Sequence, residues 1–319
     1  MAESYKVHLI SQEKKEKEMR TIFSPKLYQK KADVHGACVK LITDNEEFKE
    51  MWEDNFKPML DGIRPHARIF VVSDKSKSKK LQVLYESISK TVIVKNCNYY
   101  GWVKSIALAL VADFFEDFTS EHRRYSIHGS FVDFGGKGIA IIGPSGSGKT
   151  TLTYGLLLEP HANFVTDDWF FLRLMGEDII VFSSEKNSYI RDDLAKNWPE
   201  FSKRLHGIPK DAHGRSVVDV KRLFGEEKIR ERSVLEAVVL LERNKRDVPF
   251  RKLTQKEAVK FMIKTDFCNP HQLIRDKRKM AARTKFFEEL FAQTPIYLLN
   301  TIETPKQSLE RIKSVVYKL

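Results

Sequence analysis

The sequence predicts an α/β fold built in two parts. Three observations carry this. Strand-like and helix-like segments alternate along most of the chain; a glycine-rich loop at 143–150 stands between a predicted strand and a predicted helix; and 235–241 is a continuous apolar run, the pattern of a strand buried on both faces.

The elements follow in order. Residues 1–33 are polar and Lys/Glu-rich and read as an edge segment or short helix, 34–42 as a strand, 45–56 as a helix and 67–72 as a strand. A polar Lys/Ser connection at 75–80 leads to a predicted helix at 81–89 and a strand at 91–94, and 96–101 breaks the pattern. Residues 102–118 have helical spacing, with Val103, Ile106, Ala107, Leu110, Val111 and Phe114 on one broad face. Residues 1–120 are therefore expected to form an N-terminal accessory α/β domain, and 121–319 a second domain.

In the second part, strands are predicted at 126–133 and 138–142 around Gly135-Gly136, a helix at 150–158, a strand at 164–166 and a hairpin over 169–183 turning at Gly176. A polar, basic stretch runs to Arg232. After the apolar run come helices at 254–264 and 283–292 and a strand at 296–299. Thr304-Pro305-Lys306-Gln307 supplies a cap, a first-turn proline and a third-position glutamine for a last helix.

Size and composition limit the class. The 319 residues are 42% hydrophobic and 31% charged, with 15 Gly and 11 Pro, which excludes collagen-like, low-complexity and disulfide-scaffold chains. The apolar stretch near Ile106 is cut by Asp113, far short of the roughly 20 residues a membrane helix needs. The start runs into a charged stretch without an apolar signal core, so no export is expected and the cytoplasm is the expected compartment. Cys38, Cys97 and Cys268 are too far apart in sequence for a CxxC pair and read as packing residues. The 55 Lys and Arg against 43 Asp and Glu give +12, which favours anionic partners, RNA and phosphorylated metabolites both included, or simply a solvated surface.

The most specific signal is the loop itself. Gly143, Pro144, Ser145, Gly146, Ser147, Gly148, Lys149 and Thr150 match G-x-x-x-x-G-K-[ST] in full, between a strand and a helix as that motif requires. Glycines let successive N–H groups and the helix N-terminus face phosphates. Lys149 would reach the β- and γ-phosphates of ATP, and the Thr150 hydroxyl would enter a Mg²⁺ shell. Thr151 continues the binding segment.

Around this loop the sequence resembles the HPr kinase/phosphorylase and PEP carboxykinase-like branch of P-loop proteins. Three landmarks carry the resemblance: His128-Gly129 upstream, Thr151-Leu152-Thr153 directly after the loop, and the pair Asp167-Asp168, 18 and 19 residues beyond Lys149. It covers 126–169 well and continues weakly through 235–243 and 253–261. The fold it implies is a PEP carboxykinase/HPr kinase-like P-loop core. It implies that Asp167 accepts the proton of the attacking hydroxyl, a role a carboxylate beside Lys149 and Mg²⁺ can fill. It also implies that His128 is an active-site residue positioning phosphate or carboxylate. Asp168 would then bind or orient the metal. Glu185 is a candidate second metal ligand, and Arg191 and Arg243 are candidate phosphate clamps whose forked donors suit phosphoryl oxygens. Members of the family are commonly oligomeric, so a homo-oligomer is a candidate state.

The sequence also departs from true HPr kinases. The loop lacks an acidic second position and a final serine, and the region after it reads Glu185-Lys186-Asn187-Ser188-Tyr189-Ile190-Arg191 where the family has a glycine-rich segment linked with phosphorylase activity. These differences argue against an HPr substrate and the reverse reaction. No PEP carboxykinase substrate motifs are recognised. The expected function is an ATP- and Mg²⁺-dependent kinase acting on a hydroxyl of an unidentified acceptor: small metabolite, protein or RNA. The rival is a P-loop ATPase of regulatory or nucleic-acid-associated role, in which 237–242 imitates a Walker B strand and Glu242 activates water. A nucleic-acid reading draws on Tyr99, Tyr100 and Trp102 beside Lys95 and Lys104.

Overall fold

Side chains alternating with period two build two mixed sheets, and the chain divides into two compact units around them: Met1–Phe118 with His271–Arg275, and Thr119–Pro270 with Asp276–Leu319. The computed structural model describes residues 5–22, 26–74, 80–174, 176, 178–211 and 213–318. The predicted connection at 75–80 falls outside them except for Lys80.

The first unit contains β1 (Val7–Leu9), α1 (Gln12–Thr21), β2 (Tyr28–Val34), β3 (Ala37–Thr43), α2 (Glu46–Asn55), β4 (Lys57–Pro58), β5 (Ala67–Val72), β6 (Gln82–Glu86), β7 (Thr91–Lys95) and α3 (Tyr100–Asp117). Its seven-stranded sheet has the order β1-β6-β7-β5-β3-β2-β4. The polar opening segment thus supplies a strand, a helix capped by Ser11 and most of a second strand. The strand expected at 34–42 is really the second arm of a hairpin that turns at His35-Gly36, both with positive φ. The helix expected at 81–89 is wrong. This segment is β6, antiparallel to β7, because Val83 and Tyr85 alternate inward and Lys90 takes a left-handed turn between the strands. The Tyr85 hydroxyl donates to Asp113 of α3 at 2.5 Å, and Lys90 pairs with Asp113 and Asp117. Helix α3 is buried on nearly all sides rather than on one face. Tyr99 and Tyr100, offered as base-stacking residues, are buried.

The second unit contains α4 (Thr119–His122), β8 (Arg124–Phe134), β9 (Lys137–Ile142), α5 (Lys149–Leu156), β10 (Ala162–Thr166), β11 (Trp169–Leu174), β12 (Ile179–Ser183), β13 (Asn187–Ile190), α6 (Leu194–Asn197), α7 (Glu200–Arg204), β14 (Ser216–Asp219), α8 (Val220–Phe224), β15 (Arg232–Glu242), β16 (Phe250–Leu253), α9 (Gln255–Lys264), α10 (Lys277–Gln293), β17 (Ile296–Asn300) and α11 (Pro305–Val316). The order of the larger sheet is β10-β8-β11-β12-β15-β17-β16, with β9 between β8 (antiparallel) and β15 (parallel). Apolar cores lie on both faces. Ile139, Ile141, Val239 and Leu241 face α5 and α11, whereas Ala140, Ile142, Val238 and Leu240 face α9 and α10.

Among the described residues, the stretch read only as polar and basic before Arg232 folds as β13, β14, three short α-helices and a 3₁₀ turn at Glu226–Lys228. Its widely spaced Ile190, Leu194, Trp198, Phe201 and Val218 complete the core under α5. Trp198 also ties down α5 by donating its indole N–H to Thr151 O at 2.8 Å. Helix α11 starts in a complete capping box between Thr304 and Gln307. Thr304→Ala is therefore expected to cost about 1 kcal/mol in a urea titration, because an N-cap hydroxyl satisfies an otherwise orphaned helix N–H.

Among the described residues no helix is long and apolar enough to cross a membrane. The three thiols are free, with Cys38 and Cys268 buried and Cys97 partly so.

Candidate active site

The glycine loop rises from the end of β9, in the middle of the sheet, and enters α5. Gly148 has φ 103°, a left-handed conformation that admits the tight turn into the helix and that a side chain would resist. Ser145 and Gly146 are exposed at the tip. A Cβ added at Gly146 would meet nothing within 4 Å, so there is open space over the loop. Pro144 is half-buried and Gly143 buried. Lys149 folds back and donates to Gly143 O at 2.7 Å and Pro144 O at 3.3 Å. Burial lowers its pKa, opposed by the charges of Asp168, Cys268 and Asp167.

Two antiparallel pairings bring the acidic pair to this lysine. Strand β8 pairs with β9 through Gly129↔Ile142, and with β11 through His128↔Trp169. Asp167-Asp168 is the whole connection between β10 and β11, so the pair leaves the sheet directly next to the His128↔Trp169 pairing. The turn is pinned from three sides: Gly129 N–H donates to Asp168 O at 2.9 Å, and the Thr166 and Ser184 hydroxyls donate to Trp169 O at 2.6 and 2.8 Å.

Gly129 must be glycine for a second reason. A Cβ there would stand 2.8 Å from Ile141 O and 3.3 Å from Ile142 and Phe170 atoms. Gly129→Ala is expected to destabilise the fold by about 1–3 kcal/mol, as overpacking of a filled interior does; thermal unfolding checks it.

Asp167 is the interior member of the pair, 8% exposed, while the Asp168 side chain is 39% exposed. Burial pushes the Asp167 carboxyl up to about 7, and the negative charges of Asp168 and Glu185 push the same way; a hydrogen bond from the Thr150 hydroxyl and the Lys149 charge oppose this. Asp168 Oδ1 lies 3.1 Å from His128 Nε2, and His128 Nδ1 lies 2.9 Å from Cys268 O. A carbonyl only accepts, so Nδ1 donates to it; an ionised Asp168 likewise only accepts, so Nε2 donates to it when the ring carries both protons. Trp169 packs edge-on against the imidazole, with ring centres 5.8 Å apart.

The structure thus gathers Lys149, Thr150, Asp167, Asp168, Glu185 and His128. It does not gather Arg243, which is exposed in the loop after β15 and is not among the charges acting most strongly on Lys149 or Asp167. Arg191 is likewise exposed. Glu242 faces another neighbourhood. Burial and Asp247 raise its pKa while Lys264 and Arg251 oppose them, and it does not figure among the acidic groups acting most strongly on Asp167.

A magnesium nucleotide fits these residues. Asp167 Oδ1 and Ser147 Oγ are buried with no hydrogen-bond partner among the described residues, and the carboxylate and hydroxyl oxygens of Thr150, Asp167, Asp168 and Glu185 are hard donors. Among the described residues no three His, Cys, Asp or Glu side chains are grouped to hold a metal by themselves. Mg²⁺ does not ask for that, since it keeps waters and leans on one or two carboxylates and substrate phosphates.

Residues 120–282 match the HPr Serine kinase C-terminal domain family. The chain belongs to this family. Among curated members of the HPr kinase group it is 31% identical over 147 residues to the HPr kinase/phosphorylase of Chlorobium limicola, covering 46% of this chain and 38% of that protein. It is 30% identical over 160 residues to that of Lachnoclostridium phytofermentans (50% and 45%), and 35% identical over 140 residues to that of Chlorobium luteolum (44% and 36%). These matches span less than half the length of each relative. The solved structure of the Hpr(Ser) kinase/phosphatase from Coxiella burnetii superposes with a TM-score of 0.34 at 14% identity, covering 60% of this chain and 97% of that one.

For an HPr kinase domain, one part of this site had no sequence signal: the Cys268 carbonyl, 140 positions from the histidine it holds. Only the turn-forming Asn269-Pro270 beside it hints at unusual backbone.

Proposed function

We propose that this chain is an ATP- and Mg²⁺-dependent kinase that transfers the γ-phosphoryl group directly to a hydroxyl. The observation that carries the reading is Asp167: a buried carboxyl raised to about 7, hydrogen-bonded by the P-loop threonine and within charge reach of the P-loop lysine. A base so poised loses its proton near neutral pH and can take one from an alcohol. The loop amides and Lys149 hold the nucleotide phosphates, and Lys149 leaves the Gly143 and Pro144 carbonyls to do so. Thr150, Asp168 and Glu185 would hold the metal. When bound, Mg²⁺ would neutralise charge on the phosphate oxygens. His128, joined to Asp168, orients that carboxylate. Arg243, exposed after β15, stands in this reading only as a phosphate clamp reached from outside the gathered residues. The domain arrangement, 1–120 accessory and 121–319 catalytic, belongs to the same reading.

The acceptor class follows from a labelling experiment. The full chain is incubated with γ-labelled ATP, Mg²⁺ and, in separate arms, HPr protein, a small-metabolite extract and RNA. Label in one arm names the class. Labelled free phosphate in every arm, with no labelled acceptor, would refute the kinase reading in favour of an ATPase. Lys149→Ala is the blank.

A further inference from the structure

Asp266, Phe267 and Cys268 have φ of 50°, 54° and 54°. L-residues enter this left-handed region singly; a run of them is sterically costly, and none of the three is glycine. The other non-glycine residues with positive φ among the described residues, His35, Lys90, Asn96 and Arg123, each stand without a second positive-φ non-glycine residue beside them. A strained backbone persists only where its surroundings enforce it, and such outliers gather at functional sites.

Here the enforcement is visible. Phe267 is buried and stacks on Phe287 with ring centres 5.7 Å apart and planes 10° from parallel. Cys268 N–H donates to Thr265 O at 3.0 Å and Asn269 N–H to Asp266 O at 3.2 Å, while the Thr265 hydroxyl donates to Phe261 O at 2.8 Å at the end of α9. The product of the turn is one carbonyl, that of Cys268, aimed at His128 Nδ1 inside the protein.

We propose that the left-handed turn Asp266–Cys268 is a positioning element of this site: its last carbonyl holds the His128 ring with Nδ1 as donor and Nε2 committed to Asp168, and thereby holds Asp168 beside Asp167. A ring freed from the carbonyl can flip or rotate, and the 3.1 Å contact from Nε2 to Asp168 is then lost, as happens when an outer hydrogen bond to a working histidine is removed. The effect on rate rests on the kinase reading; the effect on the ring does not.

The test separates backbone conformation from the thiol. Cys268→Gly deletes the thiol but accepts positive φ freely, whereas Cys268→Val deletes it and, being β-branched, resists that conformation. Asp266→Val breaks the same turn from its other end, should Cys268→Val fail to fold. The ring nitrogens are followed in the full chain by long-range ¹H–¹⁵N NMR without nucleotide, with His128→Gln to assign the signal, and transfer kinetics are measured beside it.

Cys268→Gly is expected to keep the wild-type Nδ1–H signature. A valine variant is expected to lose the signature and about tenfold or more in kcat, with nucleotide affinity unchanged. If the valine variants keep the wild-type ring signature, or if glycine and valine lose it alike, the proposal is overturned. If the wild type transfers no phosphoryl group, the kinase reading falls, and the ring signature alone still decides whether the turn sets His128.

Discussion

Asp167→Asn is expected to slow phosphoryl transfer by orders of magnitude and, in the nucleotide-free protein, to raise stability at neutral pH. Both effects come from one environment. The carboxylate is buried, faces the like charges of Asp168 and Glu185, and titrates at about 7 against an ordinary value of 3.8. The folded protein therefore binds this proton more tightly than the unfolded chain. The stability it contributes is complete below about pH 4 and is lost as pH rises through about 7. Asparagine removes the buried charge while its amide oxygen can still accept from the Thr150 hydroxyl, so unfolding at pH 7.5 should be harder by on the order of 1–3 kcal/mol, with the difference vanishing near pH 4. Losing the base should slow transfer by about 100- to 10,000-fold. Chemical denaturation at the two pH values and single-turnover transfer check the pair. An inactive variant that is also less stable at pH 7.5 would mean that Asp167 serves the fold.

Lys149→Ala is expected to remove activity without unfolding the protein. Its ammonium is buried at a cost and is held in the resting structure by two backbone carbonyls, contacts that a nucleotide phosphate can replace with a full charge. A charge-assisted hydrogen bond of this type is worth about 1.5–3 kcal/mol. Nucleotide affinity by calorimetry should fall accordingly, and kcat further, because charge on the terminal phosphate grows during transfer. The thermal midpoint without nucleotide should stay the same or rise, since a desolvated cation has been removed.

Much of this site was legible in the sequence because its parts are local. The loop motif specifies four positions within eight consecutive residues, and its strand and helix are adjacent in the chain. The acidic pair was found from its spacing to Lys149. What joins the pair to His128 is register: His128 stands opposite Trp169 across β8 and β11, and no property of either segment alone specifies that pairing. The Cys268 contact is further out of reach, a backbone carbonyl acting from a distant turn.

The misread elements have local causes as well. At 81–89 a short apolar run served helix and strand templates equally, and pairing with β7, with Val83 and Tyr85 buried and the Tyr85 hydroxyl bonded to α3, decided for strand. Between 184 and 232 the charges outnumber the apolar residues, so the core of β13, β14 and their helices, built from side chains several positions apart, was hidden. Glu242 shows the opposite error. Its place at the end of an apolar strand imitates a water-activating carboxylate, but its charge neighbours are Asp247, Lys264 and Arg251.

The most direct measurement is a crystal structure of the full chain with Mg²⁺ and a non-hydrolysable ATP analogue. The account predicts Lys149 released from Gly143 O onto the terminal phosphates, with the Asp167 carboxylate facing the γ-phosphate at a gap that an acceptor hydroxyl can bridge with a hydrogen bond of about 2.6–3.2 Å. A nucleotide seated on the loop with Asp167 turned into the protein and closed off from the γ-phosphate would contradict it.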